Sequence, residues 1–539
     1  MQQSMMQRPL LISALIEFAE ANHGDTEIVS RRIEGDIHRY TYRDANRRAK
    51  QLANALKHLG VKVGDRVGTL AWNGYRHFEI YYGVSGMGAI THTINPRLFP
   101  EQIAYIVNHA EDGYLFFDLT FLPLVEALAP KLPTIKAFIA MTDRAHMPDA
   151  KLSNLLCYED LISAEVADFE WPQLDENTPS GLCYTSGTTG NPKGVLYTHR
   201  STIFHTYAAM SPEAFCLSSR DVVLPVVPMF HVNAWGTPYI CAAAGAKLVF
   251  PGPALDGASL YALFEGEGVT MSAGVPTVWM GLLNYVKSSN LKFSTFKETV
   301  IGGSACPPAM IKSFEHEFGV NVVHAWGMTE MSPLGTMCRL KLKHQKMSVE
   351  QQDAVKARQG RAIFGVEMKI VDDEGCTLPN DGKAAGDLMV RGPWVVGRYF
   401  KEEKSALVDG WFATGDVANI DADGYMQITD RSKDVIKSGG EWISSIDLEN
   451  IAVSHPSVFE AAVIGVPHPK WDERPLVLAV LKPNETLTRD ELIKFYDGKI
   501  AKWMVPDDVV FVDKLPHTAT GKLLKIKLRE DYKNYKLPG

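Results

Sequence analysis

The sequence predicts an α/β fold: a large N-terminal unit of layered α/β sheets followed by a small α+β C-terminal unit. Three observations predict it. Segments with helical spacing of apolar residues alternate with short apolar strands, the order that builds parallel sheets. A polar, glycine-rich loop separates the apolar runs Leu182-Cys183-Tyr184 and Val195-Leu196-Tyr197, which read as two strands. The texture then changes at a short charged run, Asp430-Arg431-Ser432-Lys433-Asp434.

The elements follow in order. Pro9 to Ile16 is mainly apolar, but Glu17 and Glu20 follow at once, so an amphipathic first helix is expected and not a signal peptide. Thr41 and Asp44 suit a capping box for a helix whose apolar face holds Ala45, Leu52, Leu56 and Leu59, with Gly60 as its stop. Val63 to Val67 turns into a strand. Helices at 100–109 and 260–268 precede strands at 114–117 and 269–272. Beyond the charged run lie strands at 461–466 and 476–481 and helices at 447–453 and 489–499, enough for a small domain. The expected boundary is Ser432/Lys433, giving domains 1–432 and 433–539.

Composition narrows the function. The chain has 539 residues, 46% hydrophobic and 22% charged, as expected of globular domains with sizeable cores. Its net charge of −8 and the lack of a basic block argue against a nucleic-acid groove. Seven cysteines without a C-x-x-C pair read as thiols of a reducing compartment, not a disulfide frame or zinc site. No stretch reaches the ~18 apolar residues of a membrane span, so a cytoplasmic protein without an integral membrane segment is expected.

The loop Thr185-Ser186-Gly187-Thr188-Thr189-Gly190-Asn191-Pro192-Lys193-Gly194 carries the first chemistry. Glycines bring backbone N–H groups against an anion, and hydroxyls and a lysine add donors, so the loop suits a polyphosphate. It is not a Walker A loop, because Lys193 is followed by glycine and then by a strand. A plain polar hairpin turn is the alternative.

Further along, Ala325-Trp326-Gly327-Met328-Thr329-Glu330 sets an aromatic that can stack on a base beside a hydroxyl and an acid suited to Mg²⁺. Asp416, in Thr414-Gly415-Asp416, is suited to gripping a ribose diol through two hydrogen bonds. Gly302-Gly303-Ser304 reads alone as a strand-to-helix turn. His231, amid Phe230 and Val232, reads alone as a core histidine. Lys437-Ser438-Gly439-Gly440-Glu441-Trp442 reads alone as a hairpin tip, and Lys522, closing Pro516 to Lys522, as a surface charge.

In order and spacing, these segments resemble the adenylate-forming enzymes, and within them the fatty-acyl-CoA ligases and 3-methylmercaptopropionate-CoA ligases. The resemblance runs from Tyr184 to Lys522. It implies ATP binding by Thr185, Ser186, Gly187, Thr188, Thr189, Gly190, Lys193, Gly303, Ser304, Ala325, Trp326, Gly327, Met328, Thr329, Asp416, Ile428 and Arg431. Trp326 stands where the family usually has tyrosine, which keeps stacking but loses the phenol hydrogen bond. The resemblance places His231, Trp235, Gly302 and Pro333 at the acyl group, with His231, Glu330 and Lys522 catalytic and Thr185 and Glu330 near Mg²⁺. Residues 437–442 would line the coenzyme A tunnel. Lys433 would be the hinge of a mobile lid, although many relatives carry aspartate there.

The implied reaction joins a carboxylic acid, ATP and coenzyme A. The carboxylate attacks the α-phosphate and expels pyrophosphate; the thiolate then displaces AMP. A homodimer is implied as well. Three alternatives remain open from sequence: an adenylating enzyme with another acceptor, a P-loop kinase or ATPase, and a non-catalytic acyl-binding protein. The absence of G-x-S-x-G argues against a thioesterase.

Overall fold

The computed structural model describes residues 5–185, 191–431, 433–438, 441–517 and 523–538, with backbone only for 441 and 442. The expected boundary residue Ser432 lies outside the described residues.

Two sheets build the large unit. In the seven-stranded sheet, Arg66–Leu70 lies parallel to Ile90–Thr93 and Tyr114–Phe117, and Ala137–Ala140 and Leu155–Cys157 extend one edge. Pro179–Tyr184 joins the other edge in parallel and turns back as the antiparallel strand Gly194–Thr198. The glycine-rich loop is therefore a hairpin loop as well as a candidate phosphate loop. In the nine-stranded sheet, six central strands run parallel from Glu27–Arg31 to Asn321–Gly327, with antiparallel strands at both edges. Such parallel strands need both faces covered, which explains their near-continuous apolar runs.

Helices Tyr42–His58 and Tyr75–Gly86 share one core with residues of both sheets, including Val67, Phe116, Leu248 and Phe250. Every residue of Tyr75–Gly86 is buried, as a helix between two sheets must be. Leu260, Phe264 and Trp279 cover the outer face of the nine-stranded sheet, and Ile103, Val107 and Val125 that of the seven-stranded one. The layers alternate helix, sheet, helix, sheet, helix.

Local signals explain most boundaries. The Thr41–Asp44 capping box forms, Ala45, Leu52 and Leu56 are buried, and Gly60 follows the helix with φ 85°. The helix expected at 260–268 starts earlier, at Gly257, because the Asp256 side chain accepts from Ser259 N at 2.9 Å. Its strand starts later, at Met271. The first helix runs Ser13–His23, further along than the apolar stretch suggested. The helix expected at 489–499 ends at Phe495, ahead of the left-handed Gly498.

A third sheet, including Ala385–Arg391, Trp411–Ile420 and Met426–Arg431, leads to the end of the large unit. In the small unit, Val458–His468 and Asp472–Leu481 pair antiparallel, and Asp508–Phe511 runs parallel to the latter. Ile436, Leu448, Val463, Val477 and Tyr496 form its core. Contacts cross the junction: Ser445 N donates to Asp430 Oδ2 at 2.7 Å, and the Ser444 hydroxyl bonds to Thr429 O. Among the described residues, no helix is long and apolar enough to cross a membrane.

Candidate active site

The predicted residues of the large unit gather because of where the parallel strands end. Thr185 follows the strand Pro179–Tyr184, and Gly302 and Gly303 follow Glu298–Ile301. Val222–Pro225 leads into the loop carrying His231, and Asn321–Gly327 itself carries Ala325, Trp326 and Gly327. Open α/β sheets bind ligands in the crevice beyond the carboxyl ends of their strands.

At the glycine-rich loop, the two ends are closed on each other. Thr185 N donates to Lys193 O at 2.9 Å, and Lys193 N donates to Thr185 Oγ1 at 3.1 Å. Ser186, Gly187, Thr188, Thr189 and Gly190 lie outside the described residues. One small cavity is lined by Thr185 and Tyr184 on one side and by Phe230 and His231 on the other. It brings Thr185, of the candidate phosphate loop, and His231, the candidate acyl-site histidine, to one space.

The segment after His231 is strained. Val232, Asn233, Ala234 and Trp235 all adopt the left-handed conformation, with φ of 46°, 54°, 51° and 56°. Such a conformation costs on the order of 1–2 kcal/mol per residue and persists only where surroundings enforce it. Here the Tyr81 hydroxyl is 2.5 Å from Met229 O and 3.2 Å from Asn233 Oδ1. Asn73 accepts from Met229 N at 2.6 Å and donates to Pro225 O and Val227 O. The turn delivers the buried Trp235 indole onto Gly302. A Cβ at Gly302 would lie 3.2 Å from that ring and 2.9 Å from Ala325 O, so only glycine permits this approach without a shift. Gly303 and Ser304 continue the same turn, with Ser304 exposed.

Trp326 is a donor as well as an aromatic: the buried indole Nε1 donates to Asp416 Oδ2 at 3.0 Å. Asp416 Oδ1 also pairs with Arg431 Nε at 2.8 Å. Asp416 and Arg431 face each other across antiparallel strands, which explains their separation in sequence. Ile428 N donates to Gln359 Oε1 at 2.7 Å. Met328 N donates to Pro333 O at 3.0 Å, and Gly327 lies so close to Pro333 O that a side chain would collide.

Glu330 is buried, and its Oε1 accepts from the Tyr399 hydroxyl at 2.8 Å. Burial pushes its pKa up, with the tyrosine bond opposing the rise. Lys193 Nζ sits 4.8 Å from the centroid of the same Tyr399 ring. Thr329 O accepts from the Tyr197 hydroxyl at 2.7 Å, tying the hairpin to this segment. A carboxylate and a hydroxyl, Glu330 and Thr185, are hard oxygen donors, which fit a magnesium ion.

In the small unit, Lys437 N donates to Glu473 Oε2 at 3.0 Å, and the buried Ser438 hydroxyl accepts from Arg474 at 3.2 Å. Lys433 is exposed, in the turn after strand Met426–Arg431. Gly439, Gly440 and Lys522 lie outside the described residues, as do the side chains of Glu441 and Trp442.

Sequence reasoning missed several contributors. Tyr399 is 69 residues from Glu330 and stands in no glycine-rich motif. Asn73, Tyr81 and Gln359 act through buried hydrogen bonds to distant backbone, which local spacing does not encode. The left-handed turn at 232–235 contains no glycine, so its usual signal was lacking.

The comparisons with known proteins bear on this geometry. Residues 16–400 match the AMP-binding enzyme family, and residues 447–522 match the AMP-binding enzyme C-terminal domain. The chain belongs to the AMP-binding enzyme family. It is 56% identical over 531 residues to the 3-methylmercaptopropionyl-CoA ligase of Ruegeria lacuscaerulensis, with 98% of each chain covered. It is 51% identical over 529 residues to the medium-chain-fatty-acid–CoA ligase of Ectopseudomonas oleovorans, covering 98% of this chain and 97% of that one. The crystal structure of the anthranilate CoA ligase AuaEII in complex with anthranoyl-AMP superposes with a TM-score of 0.86 at 27% identity, covering 98% and 99% of the two chains. The chain is an AMP-forming acyl-CoA synthetase, an acid–thiol ligase that works through an acyl-adenylate. ATP and coenzyme A are its co-substrates.

Proposed function

We propose that the acid is short to medium in length, either a short- to medium-chain fatty acid or 3-methylmercaptopropionate. The observation that carries this reading is the cavity shared by Thr185 and His231, with the Trp235 indole seated on Gly302 nearby. A carboxylate beside His231 would face the phosphate loop, and the indole on Gly302 would border the acyl group. The identity to the Ruegeria and Ectopseudomonas ligases supports the same size class.

In this reading, Lys193 and residues 185–190 hold the phosphates that leave as pyrophosphate. Trp326, flanked by Ala325, Gly327 and Met328, borders the adenine together with Gly303 and Ser304, and Asp416 and Arg431 hold the ribose beside Ile428. Pro333 borders the acyl group. A magnesium ion would be held by Glu330 and Thr185 and would neutralise charge on the departing pyrophosphate. Lys522 neutralises the charge that develops between the acid and the α-phosphate. Residues 437–442 line the pantetheine path after the small unit turns about Lys433. The boundary at 432/433 is supported by sheet membership: Met426–Arg431 pairs with Trp411–Ile420, whereas Ile436–Ser438 pairs with Glu441–Ile443. A homodimer belongs to the same reading, and light scattering at working concentration tests it.

The test is pyrophosphate release with coenzyme A across acids from propionate to palmitate, with 3-methylmercaptopropionate included. An optimum at short thioether or short straight-chain acids supports the proposal. An optimum near palmitate overturns it in favour of a long-chain ligase. Adenylation without any thioester product points to another acceptor.

A further inference from the structure

Tyr399 belongs to no motif that marks the site, yet it touches both of the site's charged arms. Its hydroxyl donates to Glu330 Oε1 at 2.8 Å, and its ring face lies beneath Lys193 Nζ, 4.8 Å from the centroid. The backbone around it is stitched to the same two segments. Val396 N donates to Glu330 O at 2.7 Å, and Phe400 N donates to Gly194 O at 2.8 Å. Further back, the Ser332 hydroxyl donates to Trp394 O, and Trp394 Nε1 donates to Leu334 O, each at 3.0 Å. Residues 394–400 therefore form a strap across the phosphate hairpin and the Glu330 segment, with Tyr399 between them.

The two contacts differ in kind. The hydroxyl holds one carboxylate oxygen through a neutral donor, and no ion pair to Glu330 is found among the described residues. The ring attracts the ammonium through its quadrupole without neutralising it, so the cation keeps its charge for an anion. A cationic side chain in this place would cancel Glu330 and repel Lys193. A phenylalanine would hold Lys193 alone, and an aliphatic residue would hold neither.

We propose that Tyr399 is a positioning residue that sets the metal-facing carboxylate of Glu330 and the phosphate-facing ammonium of Lys193 with one side chain. The inference rests on the reading of Glu330 and Lys193 as nucleotide-site residues. It predicts that the two duties separate by substitution. Tyr399→Phe removes the hydroxyl and keeps the ring; Tyr399→Leu removes both.

The test uses the full-length enzyme with ATP in the absence of the acid, so that no turnover occurs. Mn²⁺ binding to the enzyme–ATP complex is read by electron paramagnetic resonance, and metal-free ATP binding by calorimetry. Tyr399→Phe is expected to weaken Mn²⁺ by about tenfold, the scale of a hydrogen bond to a charged group, with metal-free ATP binding unchanged. Tyr399→Leu is expected to weaken Mn²⁺ equally and also metal-free ATP by about threefold, the scale of an exposed cation–π contact. Glu330→Gln and Lys193→Ala run beside them. If these two controls weaken Mn²⁺ and ATP while both Tyr399 variants bind as the parent does, the inference is overturned and the site reading stands. If Glu330→Gln leaves Mn²⁺ binding intact, the site reading itself fails. Equal losses of metal-free ATP binding in Tyr399→Phe and Tyr399→Leu overturn the separation of duties.

Discussion

Two glutamates in this chain, one buried and one half-buried, are held in opposite ways. Glu330, in the large unit, accepts from the neutral Tyr399 hydroxyl, and no ion pair to it is found among the described residues. Glu449, in the small unit, pairs with Lys525 Nζ at 2.6 Å and accepts from Val463 N at 2.8 Å. Lys525 also donates to Ser445 Oγ at 2.5 Å, and the charges of Asp430 and Asp434 act on it. Burial raises the pKa of both glutamates, with Lys525 opposing the rise in Glu449. The difference teaches how to read a buried acid. A carboxylate held by a cation has its charge spent inside the fold, whereas one held by a neutral donor keeps it for a ligand.

The comparison is broken most severely at Lys525. Lys525→Met would leave the half-buried Glu449 without its cation, which costs up to about 3 kcal/mol. Chemical denaturation should show that loss in the transition of the small unit; a loss under about 1 kcal/mol would mean the pair is not a stabilising contact.

Lys522, three positions earlier, sharpens the contrast because its role is catalytic in this account. Lys522→Ala should slow acyl-adenylate formation by about 10²–10³-fold, the scale of removing one transition-state donor. Thioester formation from supplied acyl-adenylate should be largely spared. Equal losses in the two half-reactions, measured by pyrophosphate and thioester release, would remove that role.

Asp118 is a third case, held by a backbone N–H and, among the described residues, by no ion pair. Its Oδ2 accepts from Trp72 N at 2.7 Å, and burial pushes its pKa to about 7, opposed by the charge of Arg76. The native state then binds a proton that the unfolded chain has released. Stability from this group is full below the ordinary carboxyl range near pH 4 and is lost as pH rises through about 7. Asp118→Asn should flatten that fall, by on the order of 4 kcal/mol, in denaturation curves taken from pH 4 to 8. An unchanged slope would show that Asp118 is ionised in the native state.

Much of this was legible in the sequence, and the residues show why. The Thr41–Asp44 box is local chemistry, so a four-residue window reveals it. Asp416 was legible as a carboxylate suited to a ribose diol and Arg431 through the resemblance, but their facing across antiparallel strands was seen only in the fold. Trp326 was legible as an aromatic but not as a donor, because its partner Asp416 lies 90 residues away. Tyr399 was illegible for the same reason: its value comes from two distant charges, not from its neighbours. The left-handed turn at Val232–Trp235 is imposed by Asn73 and Tyr81 against the preference of its own residues, so local propensity points away from it.

The most direct measurement pairs Glu330→Gln with Glu449→Gln and reads melting temperature beside acyl-adenylate formation. Glu330→Gln should abolish most adenylation while leaving the melting temperature unchanged, since glutamine carries no buried charge. Glu449→Gln should do the reverse, lowering the melting temperature and leaving adenylation largely intact below the transition. A Glu330→Gln enzyme that melts early yet still forms acyl-adenylate would contradict the account.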